Sequence, residues 1–273
     1  MPVVRVGDAE VHITDTGTPP GRPDAPAVVF GHGLLFSGRM FEPQVAALRE
    51  RYRCVAVDWR GQGQSPAVAG GPPAYDMDTL LGDLLDQLGL DAVHYVGLSM
   101  GGFVGMRLAA RHPDRVRTLT VLDSSAGPED RRKALRYRLM ARVYRLVGIA
   151  PLRRPVRRVM FGRTFLASAR AAEVLRAWED VLRHNDRAGT VAAIRGVTDR
   201  TAVAPELSRI AAPTLFVVGE EDVATPVAKA RAVAAGIPGA RLVVVEGAGH
   251  SSTIEAPEAV TGLLRDFLDA HPG

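Results

Sequence analysis

Ser99 stands in Gly97-Leu98-Ser99-Met100-Gly101-Gly102, a G-x-S-x-G pattern. A serine hydroxyl attacks a carbonyl only when a base takes its proton and donors receive the negative charge that builds on oxygen. The spacing answers a prior need, which is presentation. Glycines on both sides allow a turn so tight that a β-carbon there would collide with the crossing chain. Residues 92–96 ahead of it form an apolar run that predicts a short buried strand. Residues 103–111 behind it predict a helix, stopped by His112-Pro113 because proline cannot continue the hydrogen-bond ladder. The turn between them lifts the hydroxyl above the sheet, at a helix N-terminus whose dipole favours negative charge.

Three further segments supply the partners such a nucleophile needs. Phe30-Gly31-His32-Gly33-Leu34-Leu35 follows an apolar run, and its glycines permit close backbone approach. The amides of Leu34 and Met100 are the candidates for an oxyanion hole, with His32 fixing the loop rather than titrating. Glu220-Glu221-Asp222 follows the run 214–218, where an acid can receive the Nδ1 proton of an imidazole and hold its tautomer. Asp222 is the first choice, Glu221 the alternative and Asp123, at the end of run 116–122, the third. Gly247-Ala248-Gly249-His250 follows the run 242–245 and offers the base. The set appears in the chain order Ser99, Asp222, His250.

All four segments sit at the ends of short apolar runs, and those runs predict how they are held. Runs 27–30, 54–57, 92–96, 116–122, 214–218 and 242–245 do not alternate in polarity, as expected of strands covered on both faces. Segments 39–50, 77–88, 103–111, 227–235 and 257–270 read as the covering helices. Residues 3–7 and 10–15 alternate around Gly7-Asp8, as an edge hairpin would. The sum is a mostly parallel, doubly wound α/β sheet. From 127 to 205 the alternation stops and several helices follow one another. That stretch is expected to form a helical cap over the carboxyl edge of the sheet, where open α/β sheets bind ligands. Residues 1–126 and 206–273 then make the core. Leu35, Phe36, Met140, Tyr144, Trp178 and Val223 are the candidates for the apolar wall of a pocket between cap and core.

With these pieces in this order, the chain resembles the α/β-hydrolases. Asp58-Trp59-Arg60-Gly61-Gln62-Gly63-Gln64-Ser65 resembles the D-x-R-G-x-G-x-S turn of their esterase, lactonase and epoxide-hydrolase branch, in which it is mainly structural. Serine at the elbow separates the chain from the dehalogenases and epoxide hydrolases, which carry aspartate there. The elbow is similar to that of the 3-oxoadipate enol-lactonases. The resemblance implies a serine hydrolase without a cofactor, cleaving a carboxylic ester or lactone through an acyl-enzyme on Ser99. Carbon–carbon bond hydrolysis, perhydrolysis, a lyase reaction and a slowly turning over ligand receptor are implied as alternatives on the same triad.

Composition narrows the setting. Hydrophobic residues make up 47% of the chain, enough for a substantial core, and no run of about eighteen apolar residues marks a membrane span. No signal-peptide pattern opens the sequence, and the lone Cys54 lies in an apolar run, so a soluble cytoplasmic protein is expected. No phosphate-binding loop or metal-ligand spacing is present, and His12, His94, His112, His184 and His271 are scattered. The net charge of +4 is local: residues 131–163 hold twelve Arg or Lys and no acid. A solvated helical face is the simpler account, an anionic substrate, carrier or membrane surface the sharper one. Nucleic acid does not fit, since no groove-binding or stacking module accompanies the charge. If the cluster steers an anionic substrate, kcat/KM for a carboxylate-bearing ester should fall as salt rises, while a neutral ester of similar size holds steady. Equal responses return the arginines to a solvated face.

Overall fold

Short apolar runs separated by Gly-rich turns pair into one eight-stranded sheet in a computed structural model, which describes residues 2–67 and 77–272. The strands are β1 (Val3–Val6), β2 (Ala9–Asp15), β3 (Ala27–Gly31), β4 (Arg53–Val57), β5 (Val93–Leu98), β6 (Val116–Leu122), β7 (Thr214–Gly219) and β8 (Arg241–Val245). They lie in the order β1-β2-β4-β3-β5-β6-β7-β8. The first two form an antiparallel hairpin with Val6 opposite Ala9, and β2 runs antiparallel to β4. All other neighbours are parallel. This is the mostly parallel α/β sheet that the non-alternating runs predict.

Every residue of β3, β5 and β7 is buried, because apolar clusters fill both faces of the sheet. Along β3, Val29 enters one cluster while Val28 and Phe30 enter the other. The last strand departs from the expectation of two covered faces. Among the described residues β8 has a neighbour on one side only, and Val244 is 41% exposed.

The helices are α1 (Glu42–Leu48), α2 (Met77–Gln87), α3 (Met100–Arg111), α4 (Arg131–Val147), α5 (Arg153–Met160), α6 (Arg163–Leu166), α7 (Ala171–His184), α8 (Arg187–Asp199), α9 (Val227–Gly236), α10 (Ser252–Glu255) and α11 (Pro257–Asp269). The segment read as one helix over 39–50 divides into a 3₁₀ turn, Gly38–Phe41, and α1. Pro43 is the cause, since it has no N–H to give to the carbonyl four residues earlier. Helices α4 to α8 all fall between β6 and β7.

The arginines of residues 131–163 meet their acids on other segments, since that stretch holds none of its own. Glu179 on α7, with only 4% of its side chain exposed, receives Arg157 together with Arg153 and Arg183. Arg138 pairs with Asp199 on α8, and Lys133 donates to the carbonyls of Val223 and Ala224. Glu179→Gln should therefore lower stability by roughly 1–3 kcal/mol, less than for a fully buried pair because the arginines are partly wet. Urea denaturation of both proteins measures it. An unchanged midpoint would show that water already screens this contact.

Candidate active site

The turn from β5 into α3 holds Ser99 at φ 52° and ψ −109°, a left-handed region that L-residues rarely occupy. Hydrogen bonds fix it there: the Ser99 N–H donates to the Leu122 carbonyl at 2.8 Å, and Ser124 Oγ donates to the Ser99 carbonyl at 2.7 Å. The flanking glycines have no room for a side chain. A β-carbon on Gly97 would lie 2.4 Å from the Gly101 backbone, and one on Gly101 would lie 2.0 Å from the Gly31 carbonyl oxygen.

His250 sits in the loop between β8 and α10, its Nε2 2.9 Å from Ser99 Oγ and its Nδ1 2.9 Å from Asp222 Oδ2. The carboxylate accepts only, so Nδ1 carries the proton and Nε2 faces the serine hydroxyl as an acceptor. Asp222 is held in the turn after β7. Its Oδ1 accepts from the amides of Ala224 and Thr225 at 2.8 and 2.9 Å, and its Oδ2 from Thr225 Oγ1 at 2.6 Å. Burial pushes this carboxyl up, but the His250 charge and these donors outweigh it and hold it below the usual range. At His250 burial pulls down, while the charge and hydrogen bond of Asp222 and the nearby Asp123 and Glu255 raise the value overall.

The two other candidate acids take different partners. Glu221 accepts from the amide and hydroxyl of Thr164, both at 2.9 Å, tying the β7 turn to α6. Asp123, at φ 47°, accepts from the amides of Gly219 at 2.8 Å and Ser252 at 3.2 Å. It joins the bases of both loops without a hydrogen bond to the imidazole. Burial, then the Asp222 charge, push it up to about 8.

Leu34 and Met100 line the same cavity as Ser99 and His250. Among the described residues, neither amide donates to a protein acceptor. Met100 opens α3, where the first N–H groups have no intrahelical partner. The Leu34 loop is clamped from several sides. The Leu35 amide donates to Gln62 Oε1 at 2.8 Å, and Trp178 Nε1 donates to the Leu35 carbonyl at 3.1 Å. His32 is fully buried, accepting from the Trp59 amide at Nε2 and donating from Nδ1 to the Gly33 carbonyl. Burial holds its pKa down against the pull of Asp58, so it stays a neutral support. The turn 58–65, read as structural, turns out to build this loop: Asp58 Oδ1 takes the Gly38 amide and Oδ2 the Gln64 amide.

A cavity of about 1200 Å³ opens on Ser99, walled by α3, α4, α5 and α8. Leu35, Met140 and Tyr144 line it. Three candidates lie elsewhere. Phe36 and Trp178 pack with Phe161 in an aromatic cluster at centroid distances of 5.6–6.2 Å. Val223 faces solvent. Of the remaining histidines, His94 is buried on β5 against Thr118, and burial lowers it to about 4. His12, His112 and His271 do not line the cavity, and the side chain of His184 lies outside the described residues. Burial pushes the Cys54 thiol up to about 12, which leaves it inert. Glu255 has no motif of its own, yet its carboxylate gathers the amides of Gly162, Gly249 and Ser251 at 2.8–2.9 Å and so shapes the His250 loop.

A model of the alpha/beta hydrolase fold family matches residues 26–257. A protein of Pseudomonas syringae pv. syringae whose name proposes a carbamate hydrolase, RutD, is 29% identical over 255 residues, covering 91% of this chain and 96% of that one. Among solved structures, the enol-lactonase from Burkholderia xenovorans LB400 superimposes with a TM-score of 0.89 at 30% identity, over 98% of this chain and 100% of that one. A thermophilic esterase from Thermogutta terrifontis, malate bound, gives 0.90 at 27% identity over the whole of both chains.

An imidazole that must be neutral to accept a proton loses that capacity as pH falls through its pKa. With the His250 value raised, the acid limb of kcat/KM should lie above the ordinary imidazole value of ~6.5. Asp222→Asn should shift the limb to lower pH and cut turnover by roughly 10⁴-fold, because the amide favours the wrong tautomer. Glu221→Gln should do neither. The reverse pattern would transfer the role to Glu221.

Proposed function

The chain belongs to the α/β-hydrolase fold family and is a hydrolase, and on that premise we propose that it cleaves a carboxylic ester or lactone through an acyl-enzyme on Ser99. The observation that carries this reading is the unbroken line from Ser99 Oγ through His250 to Asp222, with both links at 2.9 Å. His250 Nε2 takes the hydroxyl proton as Ser99 Oγ bonds to the carbonyl carbon. The oxyanion that forms is received by the Leu34 and Met100 amides, and Asp222 stabilises the imidazolium. Collapse of the tetrahedral intermediate breaks the bond to the leaving oxygen, which takes its proton from His250. Water, deprotonated by the same imidazole, then attacks the acyl carbon and regenerates the serine.

The helices between β6 and β7 act in this reading as a cap, since α4, α5 and α8 supply cavity wall. The cavity volume of about 1200 Å³ exceeds the ~300–1,000 Å³ usual for small-ligand pockets, so the acyl or alcohol part can be larger than a short alkyl group. The names of the enol-lactonase and esterase neighbours favour an ester-type carbonyl. A carbamate, named for the Pseudomonas relative, would pass through the same kind of oxyanion and belongs in the same assay.

The test combines a fluorophosphonate probe with nitrophenyl esters of graded chain length, a lactone and a carbamate. One label per chain is expected on the wild type and none on Ser99→Ala, whose turnover should fall on the order of 10⁴-fold or more. Labelling that survives in Ser99→Ala, or acylation that stops after one equivalent with every substrate, would overturn the proposal.

A further inference from the structure

Large apolar side chains that stand in water need a reason when they gather in one place. Among the described residues seven large apolar side chains are exposed, and four of them, Leu135, Leu139, Leu146 and Val147, gather on α4. The leucines are 69%, 59% and 77% exposed. At 3.6 residues per turn, these three fall within about 40° of arc, forming one stripe along the helix. Arginines border the stripe on both sides, with Arg131, Arg138 and Arg142 on one flank and Arg132 and Arg136 on the other. No acid interrupts the seventeen residues of α4. Among the described residues, Arg138 alone of these five forms an ion pair, with Asp199. The opposite face of the same helix, through Tyr137, Met140, Ala141 and Tyr144, forms cavity wall.

We propose that the outer face of α4 docks on an anionic lipid surface, its leucines entering the acyl boundary and its arginines meeting the lipid phosphates. Charge decides between the occupants. A second copy laid α4 against α4 would bring two acid-free cationic faces together, which costs energy unless other charges intervene. A negatively charged bilayer removes that repulsion. It also suits the alternation of side chains, because arginine stems cover apolar surface while their heads remain in the headgroup layer. The helix is too short and too charged to span the bilayer, so it lies in the interface plane. A docked α4 would sit between lipid and cavity and form a boundary of both. The inference stands apart from the Ser99 chemistry, and vesicle binding is read without any substrate.

The full chain is sedimented with vesicles of phosphatidylcholine alone and of phosphatidylcholine with phosphatidylglycerol in equal parts. The protein should pellet with the anionic vesicles, remain in the supernatant with the zwitterionic ones, and be released by high salt. The combined variant Leu135→Ser, Leu139→Ser and Leu146→Ser should weaken anionic binding at least about tenfold, since the apolar part of the partition is lost. Arg131→Gln, Arg132→Gln and Arg142→Gln together should remove the preference for anionic lipid. Unchanged melting and unchanged hydrolysis of a soluble ester show that both variants are folded. No binding to anionic vesicles, or equal binding by the leucine variant, would overturn the proposal. A dimer that the leucine substitutions dissolve, in a protein that ignores vesicles, would assign the face to a second copy instead.

Discussion

The site rests on a crossing of three backbones so close that only hydrogen fits between them. The carbonyl of Gly31 at the end of β3 presses on Gly101 in the first turn of α3, and Gly97 at the end of β5 presses on the same turn. No flexible side chain can yield at these points, because the colliding atoms are backbone. The consequence is a short, fixed distance between the loop that carries Leu34 and the helix start that carries Met100. It also forces Ser99 to a positive φ, a conformation that costs on the order of 1–3 kcal/mol and persists only when its surroundings over-determine it. The Leu122 carbonyl, Ser124 Oγ and the Tyr95 hydroxyl on Gly101 supply that surrounding frame.

Around this frame the electrostatics are graded by burial and by the number of donors each acid receives. Asp222, Asp123 and Glu255 are all buried near one imidazole, and three charges there would repel one another. Asp222 receives three donors besides His250, and it stays ionised. Asp123 receives two amides and is pushed up to about 8. Glu255 collects three amides, yet burial still raises it above the ordinary range. Two of the three carboxyls thus move toward the neutral form, and the charge next to His250 is concentrated on the one carboxylate that it touches.

The insertion between β6 and β7 shows how a strongly basic segment is tolerated. Glu179 draws Arg153 and Arg157 of α5 onto α7, and Asp199 draws Arg138 of α4 onto α8. Packing is built from the remaining sides of the same helices: the aromatic cluster of Phe36, Phe161 and Trp178 joins this region to the loop after β3. Through Trp178 Nε1 on the Leu35 carbonyl, that cluster reaches the segment that presents the Leu34 amide. The helical layer is therefore mechanically continuous with the site beneath it.

The order of strands and helices, the elbow around Ser99 and the loop around His250 were legible in the sequence because they depend on local rules. Apolar runs, glycines that free the backbone and a proline that stops a helix act within a few residues of themselves. Choices between neighbours were not legible. Glu221 and Asp222 are adjacent, and only the turn after β7, bonded across to the β8 loop, decides that Asp222 faces the imidazole while Glu221 faces Thr164. The same holds for the pocket candidates. Hydrophobicity marks Phe36, Trp178 and Val223 as apolar, but whether each meets a cavity, a neighbour or water depends on how α4 to α8 rotate against the sheet. Gln62 and Glu255 carry no signature, since their work is to accept amides that the fold brings to them, from Leu35 in one case and from Gly162, Gly249 and Ser251 in the other. Local chemistry sets what each segment can do. Contacts between segments far apart in sequence decide which side chain does it.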